Sequence, residues 1–108
     1  RSTVWNVPDD VVQDVGPAVA SLDFVTHCYR RPRHEGVWPY NFLAITHGRT
    51  EAESRERIEQ VRDVMAEYWD VGDRTTDDEQ GDWDTLFSTR ILKKTGIRMA
   101  ERADANTE

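Results

Sequence analysis

The stretch from Tyr40 to His47 narrows the fold more than any other. Successive side chains of an extended strand point to opposite faces. Here Tyr40, Phe42, Ala44 and Thr46 fall on one face, and Asn41, Leu43, Ile45 and His47 on the other. A strand with one solvated face alternates cleanly between apolar and polar residues. This one is apolar on both sides, so it belongs within a sheet covered twice. Helices of the same chain would cover one face, and another protein chain or a flat ligand the second.

The flanking segments supply the helices. Thr3 to Val7 alternates and is β-branched and aromatic, the pattern of a strand. Pro8-Asp9-Asp10 opens a helix, with proline in the first turn and acids at the positive end of the dipole. Val11, Val15, Ala18, Val19 and Leu22 then recur at helical spacing. Gly16-Pro17 interrupts that pattern, which predicts a kink or a break near Gly16. Phe24 to Arg31 reads as a second strand, with Phe24, Thr26, Cys28 and Arg30 on one face and Val25, His27, Tyr29 and Arg31 on the other. A loop follows from Pro32 to Pro39.

Thr50 and Glu53 form a capping box at the start of a second helix. Ala52, Ile58, Val61, Val64, Met65 and Tyr68 give that helix its apolar stripe. Glu51/Arg55 and Glu53/Arg57 are i,i+4 pairs worth roughly 0.2–0.5 kcal/mol each. Asp70 to Asp82 is polar and acidic, which predicts a mobile loop. Trp83 to Ile91 reads as a fourth strand, which Lys93 to Arg98 continues or ends. The order strand, helix, strand, strand, helix, strand specifies an α+β, ferredoxin-like βαββαβ domain: a four-stranded antiparallel sheet with two helices on one face. It occupies residues 1–98, and 99–108 form an acidic C-terminal tail. The second and fourth strands are the edges, and the free face is open to dimerisation or to a ligand.

Charge separates the function classes. The 108 residues suit one domain with one modest core. With 14 basic and 21 acidic side chains the net charge is −7. The field of such a chain repels phosphate, which argues against nucleic acid and anionic membrane as partners. No run of apolar residues is long enough to span a bilayer, and no signal peptide is legible. A single cysteine makes no internal disulfide, so a reducing cytoplasm is expected. Within this acidic chain, residues 24–50 hold Arg30, Arg31, Arg33 and Arg49 against the lone acid Glu35. Residues 85–98 hold Arg90, Lys93, Lys94 and Arg98 and no acid. Guanidinium forks bind carboxylates and phosphates bidentately, so the implied ligand carries several such groups.

All three histidines and the only cysteine lie between residues 27 and 47. His27 and His47, on one face of adjoining strands beside arginines, are candidates for a general acid or an axial metal ligand. Each alone is more often a hydrogen-bonded structural histidine. His34 sits in the loop. Cys28, on the opposite face from His27, reads as core, and no dedicated zinc-ligand spacing exists. Trp38, Tyr40 and Tyr29 either stack on a planar ring or close the core. No glycine-rich phosphate loop, nucleophile elbow or paired-carboxylate arrangement is present.

His27-Cys28-Tyr29-Arg30-Arg31-Pro32, Trp38-Pro39-Tyr40-Asn41, Thr46-His47-Gly48-Arg49 and Leu86-Phe87-Ser88-Thr89-Arg90 through Lys93-Lys94-Thr95 together resemble the sirohaem (siroheme) decarboxylase family. The resemblance runs from about Val4 to Arg98. Gly16-Pro17 and the acidic stretch 70–82 depart from the family pattern. That family is similar to Lrp/AsnC transcription factors, with a helix-turn-helix-like domain followed by a ferredoxin-like domain, and this chain resembles the second.

The resemblance implies a carbon–carbon lyase that removes CO2 from two acetate side chains of sirohaem, giving 12,18-didecarboxysirohaem for haem synthesis. The implied partner is a homologous subunit or a second copy, docked on the open sheet face. Sirohaem, a flat iron tetrapyrrole ringed by carboxylates, is then the substrate and no resident cofactor is needed. On this reading His27, His47 and Tyr40 serve catalysis, His27 or His47 being the possible axial ligand to the sirohaem iron. Arg30, Arg31, Trp38, Asn41, Arg90 and Lys93 bind substrate. The competing expectations are a small-anion-sensing, dimerising domain of an Lrp/AsnC-like transcriptional regulator, and a purely structural dimerisation module.

Overall fold

The computed structural model describes residues 1–34 and 38–86. Along them run β1 (Ser2–Trp5), α1 (Val12–Ala20), β2 (Val25–Arg30), β3 (Phe42–Thr46), α2 (Glu51–Met65) and β4 (Trp83–Thr85). The strands pair antiparallel in one sheet of order β2-β3-β1-β4. The central and edge strands are those read from the sequence, and the architecture is the expected α+β, ferredoxin-like one. The expected remainder of the fourth strand, the Lys93–Arg98 segment and the 99–108 tail lie outside the described residues.

One face of the sheet carries the main core. Val12, Val15 and Val19 of α1 and Ile58, Val61 and Met65 of α2 close on Trp5, Val25, Phe42 and Ala44. Burying each of the larger side chains contributes about 1.5–3 kcal/mol. Trp83 stacks on Trp5 with ring centroids 5.1 Å apart and fastens β4 to β1. The other face bears a smaller cluster of Val4, Tyr40 and Leu43, flanked by Trp38, Ile45 and Leu86. β3 is thus apolar on both sides because both sides pack.

Four local expectations are corrected. First, α1 is continuous through Gly16-Pro17 and begins at Val12, after a turn in which the Pro8 carbonyl accepts from the amides of Val11 and Val12. Pro17 removes the bond that the Gln13 carbonyl would accept. Gln13 and Pro17 are both exposed, which leaves that carbonyl on the solvent side of the helix. Second, Tyr40 packs with Val4 and Leu43 rather than on the side of Phe42 and Ala44. It lies before β3 starts, and its hydroxyl is drawn to Thr75 Oγ1 at 2.7 Å.

Third, the α2 stripe is narrower than predicted: Ile58, Val61 and Met65 are buried, but Ala52 and Tyr68 are exposed. Thr50 does cap the helix, accepting from the Glu53 amide at 3.0 Å, and Glu53 reaches back to the Arg49 amide. Glu53 pairs with Arg57, while Glu51 pairs with Arg1 instead of Arg55. Fourth, the acidic loop is tied down rather than free. Asp82 N donates to Asp73 O at 2.9 Å, and Thr75 N donates to Trp83 O at 2.7 Å.

Gly81 makes that closure possible. A Cβ there would lie 2.1 Å from Asp73 O and 2.7 Å from Thr75 N. Gly81→Ala therefore has to open the loop, and a destabilisation of about 1–3 kcal/mol is expected, the usual range for overpacking. A urea melt with an unchanged midpoint would contradict this account of the loop.

Candidate functional site

The geometry of β2 begins with a bulge. Val25 pairs with Thr46 and His27 with Ile45, so the register slips by one residue between them. Thr26 is the extra residue, its hydroxyl donating to Ile45 O at 3.3 Å. A bulge puts two residues against one and resets the alternation. Val25 and Cys28 consequently both join the helix-side core, correcting the expectation that Val25 shares a face with His27. The Cys28 thiol donates to Gly16 O at 3.8 Å, and burial pushes its pKa up.

On the open face, His27 stands opposite Ile45 and Tyr29 opposite Leu43. The His27 and Tyr29 rings stack, with centroids 6.0 Å apart and planes 12° from parallel. Tyr29 is 47% exposed, the most open large apolar side chain among the described residues. The pair continues the Val4, Tyr40 and Leu43 cluster sideways into solvent. Trp38 meets Tyr40 edge-on at 5.7 Å and is half-buried. The result is an aromatic and aliphatic platform with an imidazole on its exposed border.

The remaining predicted residues divide. His47 is exposed just beyond β3, where the chain turns into α2. Its amide donates to Phe24 O, and its carbonyl accepts from Arg57 of α2. It therefore sits beside the start of α2, not away from the helix as the sequence suggested, and among the described residues no ring contact links it to His27. The proximity of His47, after those of Arg49 and Arg57, helps hold the Glu53 carboxyl below its usual range; the leading cause is the Arg49 amide hydrogen bond.

Tyr40 is buried, and its hydroxyl also accepts from Gln80 Nε2 at 3.3 Å. The Asn41 side chain is committed to the backbone: Oδ1 accepts from Val7 N at 2.8 Å and Nδ2 donates to Val7 O at 2.9 Å. Arg90 and Lys93 lie outside the described residues.

Arg30 and Arg31 line a cleft of about 380 Å³ with Asp9, Pro32, Arg33 and Asn41. Arg33 is the fixed member. Its Nε donates to Asn6 Oδ1 at 3.0 Å, Nη1 to Asp9 Oδ1 at 2.7 Å and Nη2 to Val7 O at 2.7 Å. The sequence marked Arg33 only as one of several positive charges, because none of its partners is within twenty residues of it. Two further features escaped the sequence reading. The Thr75 hydroxyl is hydrogen-bonded to that of Tyr40 and accepts from Gln80 Nε2 and the Gly81 amide. Asp84, fully buried opposite Val4, is held by Arg74 Nε at 2.8 Å. An acid placed between Trp83 and Leu86 was the available signal for Asp84. Among the described residues, no group of three or more His, Cys, Asp or Glu side chains is gathered closely enough to hold a metal ion. Nor is any described helix long and apolar enough to cross a membrane.

An antiparallel βαββαβ sheet with two helices on one face and an aromatic platform on the other defines a small ligand-binding module of the ferredoxin-like class. The chain belongs to the AsnC-like ligand-binding domain family, whose model matches residues 3–93. It is 43% identical over 102 residues to the siroheme decarboxylase NirH subunit of Pseudomonas aeruginosa, covering 94% of this chain and 53% of that protein. It is 38% identical over 96 residues to the siroheme decarboxylase beta subunit of Methanosarcina barkeri, covering 89% of this chain and 54% of that protein. The chain thus spans about half the length of these relatives. Among solved structures it resembles the siroheme decarboxylase NirDL in complex with an iron-uroporphyrin III analogue, with a TM-score of 0.54 and 34% identity over 60% of this chain and 21% of that one.

Asp9 offers a check on the cleft wall. The hydrogen bond from Arg33 and the charge of that guanidinium hold the Asp9 carboxyl below its ordinary value, with Asn41 and Arg30 adding to the effect. A depressed folded-state pKa stabilises above the unfolded value, and the contribution disappears as pH falls through the folded value. In Arg33→Ala, the Asp9 carboxyl should titrate at higher pH than in the unaltered chain. Side-chain carboxyl NMR measures it, and an unmoved titration would refute the Arg33 clamp.

Proposed function

We propose that this chain is the ligand-binding domain of a sirohaem decarboxylase subunit, working with a homologous subunit or a second copy docked across the open sheet face. The observation that carries the reading is the exposed, stacked pair of Tyr29 and His27 on the second sheet face, beside Ile45 and the packed cluster of Val4, Tyr40 and Leu43. A tetrapyrrole macrocycle needs such a surface. The naming of the relatives at 38–43% identity as siroheme decarboxylase subunits supports the same substrate.

The chemistry assigns work to these side chains. Each reacting acetate loses CO2, and the electron pair of the broken carbon–carbon bond remains on the methylene carbon. A proton then converts that carbon to a methyl group. His27, at the exposed border of the platform, is suited to deliver the proton or to ligate the substrate's iron. His47, just beyond β3 and beside α2, is the second candidate for either role. A guanidinium on the reacting carboxylate would stabilise the starting state and slow the reaction. The reacting acetates therefore belong against the apolar part of that face, beside half-buried Trp38, which packs on the buried Tyr40. There, loss of water favours release of neutral CO2. The non-reacting carboxylates face cations at the rim, where Arg90, Lys93 and the partner chain would contribute. Sirohaem is substrate on this reading, and the chain carries no cofactor of its own.

Anaerobic mixing with sirohaem, with and without a homologous subunit, tests the reading through the absorption spectrum and product mass. A product lacking two CO2 units is expected. His27→Ala should lower turnover at least about a hundredfold, the scale of a lost general acid. Binding without any loss of mass in either mixture would favour the anion-sensing regulator domain instead.

A further inference from the structure

The end of α2 and the chain that leaves it form a second concavity. Ala66 caps the helix, and the Met65 carbonyl accepts from the amides of Tyr68 and Trp69, which folds the backbone round the helix end. Arg62, in the last turn, reaches across with Nη2 to Val71 O and Gly72 O, both at 3.2 Å. A cleft of about 390 Å³ results, lined by Arg62 and Asp63 of α2 and by Glu67, Tyr68, Trp69 and Asp70 beyond it. That volume lies within the range of ligand-sized sites.

Two donors of this wall are unmet. Arg62 Nε and Trp69 Nε1 are buried and have no hydrogen-bond partner among the described residues. Trp5 shows the contrast, since its indole N–H donates to Thr3 Oγ1 at 2.8 Å. A buried donor without an acceptor is destabilising, so an arriving acceptor stabilises the wall. That acceptor has to be neutral. The lining sets the carboxylates of Asp63, Glu67 and Asp70 against the one guanidinium of Arg62. The negative end of the α2 dipole falls at the same place. An anion is repelled here and a cation attracted. Among the described residues, no three such acids converge closely enough to hold a metal ion, so cations spaced along a chain suit them better than one ion. Neutral carbonyls beside spaced cations are the chemistry of a basic peptide. Tyr68, 40% exposed at the cleft, adds the kind of aromatic surface common at protein contacts.

We propose that this cleft docks a basic peptide segment of a partner protein. Its backbone carbonyls accept from Arg62 Nε and Trp69 Nε1, and its lysine or arginine side chains meet Asp63, Glu67 and Asp70. Both nitrogens are closed to water, so the segment enters by parting the wall that Arg62 Nη2 ties. Those ties are at the long end of the N–H···O range and are the bonds that yield. The site does not involve the Tyr29 and His27 rings and does not rest on sirohaem chemistry.

The probe is a pentapeptide of alternating lysine and alanine with acetylated and amidated ends. It is titrated into the intact chain at low salt and neutral pH, followed by NMR of the indole and arginine Nε–H groups. Saturable shifts at Trp69 and Arg62 are expected, with the Trp5 indole unmoved. The triple variant D63N/E67Q/D70N changes exposed positions only. It should keep the amide spectrum away from the cleft and bind at least about tenfold more weakly, as when charge-assisted bonds are lost. Trp69→Phe keeps an aromatic ring and deletes the donor, and should weaken binding by about threefold to tenfold. Shifts that never saturate, or equal affinity in the triple variant, would overturn the proposal. So would spermidine binding as tightly as the peptide, since it carries cations without carbonyls, or magnesium alone reproducing the indole shift.

Discussion

Covering β3 from both sides is the constraint on which the rest of the molecule depends. Phe42 and Ala44 require α1 and α2 above them, and this fixes the helices on one face. Leu43 requires cover below, where Val4, Tyr40, Trp38 and Leu86 gather. Tyr40 can enter that layer only if its hydroxyl is satisfied, since an unmet buried polar group costs about 1–3 kcal/mol. Thr75 and Gln80 meet it, and so the acidic loop is drawn onto the sheet. A packing demand on one strand thus positions a loop more than thirty residues away.

β2 converts that scaffold into a site with two sides. Its bulge turns the imidazole and phenol rings outward over the platform and leaves Arg30 on the helix side. A single edge strand then presents an apolar, aromatic surface and a cationic cleft back to back. With Arg30 on the helix side, its guanidinium stands on the opposite face from the Tyr29 and His27 rings.

Most of the fold was legible because each element carries its own period. The alternation at Thr3 to Val7 and Tyr40 to His47, the stripe of Val11, Val15, Ala18, Val19 and Leu22 and the Thr50–Glu53 cap are local signals, and the topology follows from their order. The site was legible only in part. The sequence placed His27 and Tyr29 together on one face, as the structure does, and it grouped the cations of residues 24–50, but it did not bring Asp9 to Arg30 and Arg31. The facing of Val25 and Tyr40 was not legible. One depends on a bulge, which leaves no mark on composition, and the other on a hydroxyl bond to a residue 35 positions away. The Arg33 clamp escaped for the same reason, since its partners lie 24 to 27 residues back along the chain.

The bulge at Thr26 has a colloidal consequence as well. Among the described residues β2 is the terminal strand beside β3, and a terminal strand offers unpaired amides and carbonyls to any passing extended chain. Thr26 kinks that ladder at one end, and the paired positive charges of Arg30 and Arg31 followed by Pro32 close it at the other. Strand-by-strand stacking of identical copies would bring these charges together and has little straight edge to use. Thr26 at one end and Arg30, Arg31 and Pro32 at the other thus make the β2 edge a poor template for pairing with a second copy.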